Sequence, residues 1–477
     1  MITVTESLTY LHQYFITRGV LVMETKKSHD FGLIKFRGKE LDNGYTSKMP
    51  IVQFVLVSLL FPMWGAAASL NDILITQFKS IFQLSNLASA YVQSAFSLGY
   101  FLMAIPASWL IKKTSYKLTI IIGLLLYLIG CALFFPASAA ATYGFFLAAL
   151  FVLATGLTVI ETAADTDSAL LGPEKQRTLR LNISQTFLPF GSIAGILLGK
   201  YLIFSGGENL DEQLSKLSGS ARVRFGEEAL QKTLQPYKYI IMVIAVMIIL
   251  FLITQFPSGK PKAKVDETKP KENLGQTVMA LLKNHNFTYG MFTLFMYVGL
   301  QVSVWSFTIR LALNLDHSIN ERTSSNFVIG SYVAFFVGRI IADYLMKKIP
   351  HLKVLLWYSV LGFIAIGYMM IDRSFNGVYV AILVSGLMGP GYATIYTETL
   401  GFIEDAHQTE TAGAMLVMMV VGGGVWPAIQ GWFADITGSM TISFAVHFLT
   451  FGAIIIYAYH YIKHPFDGLA KEKEVKQ

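Results

Sequence analysis

What this chain lacks narrows its class before any motif is read. It has one cysteine, Cys131, set inside an apolar stretch, so no disulfide can form within the chain. Only 14% of its 477 residues are charged, against about 25% in a soluble globular protein. No phosphate loop of the form G-x-x-x-x-G-K followed by Ser or Thr occurs, which argues against ATP as an energy source. The nine histidines are scattered without metal-ligand spacing. No nucleophile–base constellation stands out, so neither enzyme chemistry nor a metal or other cofactor is expected. The net charge of +7 comes from basic residues in short clusters beside apolar stretches, which does not suggest a nucleic-acid partner.

What the chain has is apolar and aromatic length. Hydrophobic residues make up 54%, and 35 Phe with 23 Tyr exceed what one soluble core would use. Twelve apolar stretches fall at 50–77, 87–111, 118–138, 143–171, 179–204, 237–256, 286–310, 325–346, 353–371, 376–401, 409–436 and 440–462. At ~1.5 Å per residue each is long enough to span a bilayer, some with tilt. Uninterrupted runs of this length fit helices and not barrel strands. The fold class expected is an all-α membrane protein with the lipid bilayer as its surroundings.

Lysine and arginine give an orientation. Lys112, Lys113 and Lys117, then Lys175, Arg177 and Arg180, then Lys347, Lys348 and Lys353 all fall on one side. The other side offers only Lys79, Arg322 and Arg373 in its short loops. The positive-inside rule makes the basic side cytoplasmic, and twelve spans then leave both termini there. "ASWLIKK" at 107–113 closes the second stretch as "ADYLMKK" at 342–348 closes the eighth, the same place in each set of six. The reading is a cytoplasmic N-terminal tail over 1–49, a six-helix half over 50–256, a charged cytoplasmic linker over 257–285, a second six-helix half over 286–463 and a cytoplasmic tail over 464–477. The first segment reads as an unpacked tail too short in its apolar run for a signal peptide, and Met23 would open a plausible shorter chain. A parallel six-plus-six duplication is the architecture of the major facilitator superfamily, in which substrate sits near the midplane between the halves.

Acids inside the spans carry the chemistry. "TVIETAADTD" at 158–167 places Glu161, Asp165 and Asp167 at the end of an apolar run, and Asp72 follows "GAAASLN" near the outer end of the first stretch. Acids facing lipid are costly, so these should face the bundle interior or water. Glu161 and Asp165 are four apart and share one helix face. Glu161 has no base nearby in sequence and is read as a transport residue. Asp167 is read as an ion pair or helix-end cap near Lys175 and Arg177. Asp165 either couples to Glu161 or pairs with a base such as Arg180, and the ion pair is favoured because a second unpaired acid would be costly.

The fifth stretch, "RLNISQTFLPFGSIAGILLGK", repeats Gly191, Gly195 and Gly199 every four residues, a stripe that lets helices approach closely. Just upstream, Asn182, Gln185 and Thr186 suit hydroxyl recognition, since amides both donate and accept. "GLMGPGYATIY" and "VVGGGVWP" soften two late stretches, which fits either ordinary membrane-helix kinks or rocking motion. Trp109 and Trp357 lie by basic loops as interface anchors do. Trp64, Trp305 and Trp426 lie deeper, where each either packs or stacks on the C–H face of a sugar.

The strings "SLNDILITQF", "QSAFSLGYFLMAIPASWLIKKTSYK", "ETAA" followed by "LGPE", "RLNISQTF", "YVGLQVSVWS", "FFVGR" and "GGGV-x-P" together resemble the bacterial fucose–proton symporter group of the major facilitator superfamily. The likeness runs from about residue 50 to 460. It implies a bacterial plasma-membrane importer, acting as a monomer, that couples a monosaccharide (L-fucose or a related hexose or pentose) to protons by alternating access. It further implies coupling roles for Asp72 and Glu161 and sugar contacts for Gln185 and Tyr392, to which the residue reading adds Asn182 and Trp305. The chain departs from the group at Ala68, Ser69 and Leu188, where the group has asparagines, and at Asp165, where "ETAANP" has become "ETAADT". Competing readings are an uncoupled or sodium-coupled sugar carrier and a non-transporting sugar sensor.

Overall fold

The computed structural model describes residues 32–82, 86–140, 142–203, 210–260, 274–316, 318–319, 321–372, 374–403, 405 and 408–465. Some side chains within helices, that of Asp72 among them, fall outside the described set. Among the described residues, twelve helices are long and apolar enough to cross a membrane. We number them α1 Ile51–Asn71, α2 Ala95–Lys113, α3 Tyr116–Ala139, α4 Tyr143–Leu170, α5 Glu174–Leu198, α6 Gly219–Ile253, α7 His285–Leu315, α8 Asn326–Met346, α9 His351–Ile371, α10 Asn376–Leu400, α11 Thr409–Thr437 and α12 Met440–Lys463. Each coincides with one of the apolar stretches, and the described residues form no named strand, only two isolated bridges. The chain is a multi-pass membrane protein.

Local sequence sets the ends and the breaks. Ser115 caps α3 by accepting from Leu118 N at 3.1 Å, and Asn284 caps α7 by accepting from Asn286 N and Phe287 N. The sixth helix starts earlier than its apolar run, because the polar segment Gly219–Thr233 is itself helical and leads into Gln235–Ile253. Part of the charged linker is also helical, over Leu274–Lys283. The outward faces carry large exposed side chains such as Val243, Ile249, Ile364, Leu449 and Ile456, the surface a bilayer would cover. Trp109 and Trp357 are exposed at the basic-loop ends of their helices, and the Lys113 ammonium lies 4.0 Å from the Trp109 ring centroid.

The glycine stripe of α5 does what its spacing predicts. A Cβ on Gly191 would sit 1.7 Å from the Pro62 carbonyl oxygen, so only glycine lets α5 lie this close to α1. Residues 32–49 differ from the expected unpacked tail. They lie against the N-terminal half, where Ile34 N donates to Ile253 O at 2.9 Å and Gln255 N returns a bond to Ile34 O at 2.8 Å. Thr46 N reaches Leu170 O at 3.2 Å, and Asn43 reaches the Glu174 carboxylate at 3.1 Å. Composition hid this because the contacts are mostly backbone bonds, which polar residues make as well as apolar ones.

Both softened stretches are broken helices. In α10 the helix Asn376–Leu387 stops and Gly391–Leu400 resumes after Met388, Gly389 and Pro390. Such a break frees carbonyls that lipid cannot satisfy. Here Tyr297 Oη donates to Met388 O at 2.8 Å, and the buried Arg339 Nε donates to Gly389 O at 2.6 Å. In α11 a 3-10 turn, Met418–Val421, precedes the glycines at 422–424.

Candidate substrate and proton site

Every residue of α4 from Leu153 to Leu170 is buried, because this helix packs inside its own half and also meets the other one. The three acids of "ETAADTD" therefore avoid lipid altogether. Glu161 and Asp165 sit one turn apart and face α10. The Tyr392 hydroxyl lies 3.3 Å from Glu161 Oε1 and 2.8 Å from Asp165 Oδ2, a bridge between the two halves of the chain. Gln185 Nε2 donates to Asp165 Oδ1 at 3.1 Å. Tyr100 and Trp64 complete the surroundings of Glu161 and are hydrogen-bonded to each other. Glu161 Oε2 is buried with no described hydrogen-bond partner.

Beside these groups lies a cavity of about 90 Å³ between the halves. Trp64, Tyr100, Glu161 and Gln185 line it from the first half, and Gln301, Trp305, Tyr332 and Tyr392 from the second. Leu188, Ala68 and Asn71 are also on its wall. Trp305 packs against Tyr332 with ring centroids 4.6 Å apart, and its buried indole N–H has no described acceptor. A smaller chamber of about 20 Å³ adjoins, sharing Trp64, Glu161, Gln185 and Leu188. That suffices for about one water, which needs roughly 10–15 Å³. Glu161 thus fronts two spaces.

Beyond the carboxyls, towards the basic-loop ends of the helices, the halves are fastened to one another. Thr166 Oγ1 and Tyr396 Oη are 3.0 Å apart, Thr178 Oγ1 and Thr397 Oγ1 2.7 Å, and Thr186 Oγ1 lies 3.5 Å from Asp343 Oδ2. These bonds join the halves on the basic-loop side of the cavity.

Of the residues singled out in the sequence, Glu161, Gln185, Tyr392 and Trp305 come together at the cavity. Asn182 stands outside its wall, fully buried one turn nearer the basic loop, with its amide nitrogen 3.5 Å from Met346 Sδ. Asp72 is on the helix that continues α1 to Ile81, but its side chain is outside the described residues. Trp426 packs on Gly299 and does not line the cavity. The expected ion pair of Asp165 with Arg180 is not made. Arg180 turns its guanidinium to the carbonyls of Ser168 and Ala169 in the last turn of α4 and of Pro173 just beyond it. Asp167 has neither an ion pair nor a cap among the described residues, since Arg177 lies instead 3.9 Å from Glu174. Tyr100, Gln301 and Tyr332 were missed, although Gln301 carries a signal, being a lone amide mid-span and one turn from Trp305.

Comparison with known proteins gives concordant results. The family profile described as Major Facilitator Superfamily matches residues 54–415. The L-fucose-proton symporter of Escherichia coli K12 is 33% identical over 428 residues, covering 89% of this chain and 96% of that protein. A glucose/galactose transporter of Brucella abortus is 32% identical, covering 87% and 94% respectively. Among solved structures, the Escherichia coli fucose:proton symporter in the outward conformation aligns with a TM-score of 0.76 at 31% identity, covering 86% of this chain and 98% of that one. A proton:xylose symporter bound to 6-bromo-6-deoxy-D-glucose aligns with a TM-score of 0.64 at 11% identity, a likeness of fold alone.

Proposed function

The chain belongs to the Major Facilitator Superfamily, and from that premise we propose that it carries a monosaccharide inward together with protons by alternating access. It is a transport protein and not an enzyme. One observation carries the reading: a carboxyl, Glu161, stands on the wall of an aromatic and amide-lined cavity between the halves and is bonded across the interface behind it. The cavity suits a small polyhydroxylated ligand. Gln185 and Gln301 offer amides, the Trp305 N–H is a donor awaiting an acceptor, and the faces of Trp64 and Tyr332 offer flat apolar surface. L-fucose, glucose and galactose are the sugars named for relatives of comparable identity.

The coupling reading follows from the cost of charge. Away from water the neutral form of a carboxyl is favoured. Protonated Glu161 is then the inexpensive state when the cavity closes and dries, and ionised Glu161 is tolerable once water reaches it. Asp72, towards the outer end of its helix, is proposed to admit the proton. With the basic loops cytoplasmic, as positive-inside asymmetry supports, the side on which Thr166–Tyr396 and Thr178–Thr397 join the halves is the cytoplasmic one. The membrane proposed is the bacterial plasma membrane, and the acting unit a monomer.

Uptake of labelled sugar into vesicles, with and without an imposed pH gradient, tests the reading. One proton per sugar gives about tenfold accumulation per pH unit. Glu161→Gln, held permanently in the neutral form, should abolish uphill accumulation while sugar-for-sugar exchange survives, and Asp72→Asn should impair uphill uptake. A sodium-dependent gradient, equilibration without accumulation, or binding without transport would each overturn it.

A further inference from the structure

The hydrogen-bond accounting around Tyr392 does not close if Glu161 and Asp165 are both ionised. A phenol has one proton to donate. Its oxygen lies 2.8 Å from Asp165 Oδ2 and 3.3 Å from Glu161 Oε1. If the phenol donates to Asp165, the contact with Glu161 is a bond only when Glu161 carries a proton and donates it to the phenol oxygen. The reverse arrangement, with the proton on Asp165, is its mirror image. Either way one extra proton completes the bridge, and two carboxylates without it would compete for the single hydroxyl.

We propose that Glu161 and Asp165 work as one acid, sharing a single proton through the Tyr392 hydroxyl, and that this proton both is the coupling proton and fastens α4 to α10. The inference rests on the proton-coupled reading above. Transfer along the bridge is balanced. Glu161 gives its proton to the phenol oxygen while the phenol gives its own to Asp165 Oδ2, so one O–H bond breaks and one forms at the phenol, and no charge is left on it. The net movement is one helical turn towards the basic-loop face, from the acid that lines the cavity to the acid behind it. Gln185, bonded to Asp165 Oδ1, holds that carboxyl in place and leaves Oδ2 for the bridge. Loss of the proton at Asp165 breaks the bridge, and the halves part where Thr166–Tyr396 and Thr178–Thr397 now hold them.

The other groups facing the pair fit this role. Tyr100 from α2, Tyr392 and Tyr396 from α10 and Arg339 from α8 are the titratable or charged side chains whose fields reach the two carboxyls. From α1 and α5 come Trp64 and Gln185, which do not titrate, and from α3 the Tyr127 hydroxyl is turned away to Met63 O. Arg339 is bonded to the Gly389 carbonyl and makes no described ion pair with Asp165, so it biases the pair towards one negative charge without fixing it in place. An asparagine in place of Asp165 could hold Tyr392 but could not accept the proton.

The test compares Asp165→Asn, Asp165→Glu, Tyr392→Phe and Glu161→Gln with the unaltered protein in proteoliposomes. Two readouts are taken: sugar accumulation under an imposed pH gradient, and sugar-for-sugar counterflow as a function of pH. Asp165→Asn and Tyr392→Phe should each lower accumulation by about tenfold or more and move the pH profile of counterflow by about one unit, while in Asp165→Asn, whose side chain is off the cavity wall, counterflow itself continues at favourable pH. Asp165→Glu should restore most of the accumulation. If Asp165→Asn accumulates sugar normally with an unmoved profile, Asp165 is only a structural acceptor and the shared proton is refuted. If Asp165→Asn is impaired but Tyr392→Phe is not, the bridge is refuted. Should Asp165→Asn fail to insert, Asp165→Glu and Tyr392→Phe decide the matter by the same readouts. Normal accumulation by Glu161→Gln would sink the coupling reading itself, an outcome separate from all of these.

Discussion

The break in α10 sets where Tyr392 points, and a single methyl group should move it. A Cβ on Gly391 would lie 2.0 Å from Tyr297 Cε2 and 2.5 Å from Cδ2. Ordinary contact begins at 3.4 Å, so something must yield by at least 1.4 Å (3.4 less 2.0). Tyr297 cannot swing away freely, being 1% exposed and tied by its hydroxyl to Met388 O at 2.8 Å. The strain therefore falls on the start of Gly391–Leu400, whose next residue is Tyr392. Overpacking of this kind costs about 1–3 kcal/mol. A displacement near 1 Å of a reacting group lowers rates by on the order of 100-fold, and the 2.8 Å bond to Asp165 would not survive it. Gly391→Ala should then melt at a lower temperature in detergent and lose most proton-driven uptake, with counterflow less affected. Gly452→Ala is the control, since no atom lies within 4 Å of its added Cβ. If Gly391→Ala matched Gly452→Ala in both melting and uptake, the claim that α10 is held against Tyr297 would be wrong.

Two further predictions concern specificity and orientation. Leu188, on the walls of both chambers, stands where the fucose–proton symporter group has an asparagine. Leu188→Asn should improve L-fucose binding relative to the native sugar by on the order of 1–3 kcal/mol, the range for gaining a partner to an otherwise unpaired polar group, and unchanged relative affinities in calorimetry would remove Leu188 from the site. Reporter fusions after Lys260 and at Gln477 should read cytoplasmic and one near Ser218 external. A cytoplasmic signal at Ser218 would overturn the orientation.

The spans were legible because a bilayer imposes one length and one polarity on every crossing, so twelve apolar runs could be counted directly. Glu161 was legible for the same reason: an acid in such a run needs a purpose. The glycine stripe was legible through its spacing of four. What was not legible is what depends on contacts between halves. Tyr392 and Asp165 are 227 residues apart in the chain, and no periodicity within either helix says that one hydroxyl will reach both acids. Arg180 misled for a related reason. Sequence proximity offered it as a partner for Asp165, but the end of α4 presents the Ser168 and Ala169 carbonyls, and a guanidinium with five N–H groups serves both and reaches Pro173 O as well. The packing of residues 32–49 was equally hidden, since it rests on backbone bonds that composition does not reveal.

A chain that places a second carboxyl one turn from the acid proposed to couple must balance attraction against repulsion. Both carboxyl oxygens lie within hydrogen-bonding reach of one phenol oxygen, so they are at most 6.1 Å apart (3.3 plus 2.8). Two full charges at that separation repel by about 3 kcal/mol at an effective dielectric constant near 20. That corresponds to roughly a hundredfold against the doubly ionised pair. In the shared-proton proposal, a repulsion of this size favours a single retained proton, yet is small enough for entering water to screen it and let the proton go. An asparagine at 165 would remove the repulsion and with it the electrostatic reason for the pair to retain a proton. A third acid on the same face would make the dry state hold more than one proton. The spacing of four in "ETAAD" therefore suits the proposed alternation between one proton and none, and Asp167, two residues on, is turned off that face by the helix itself.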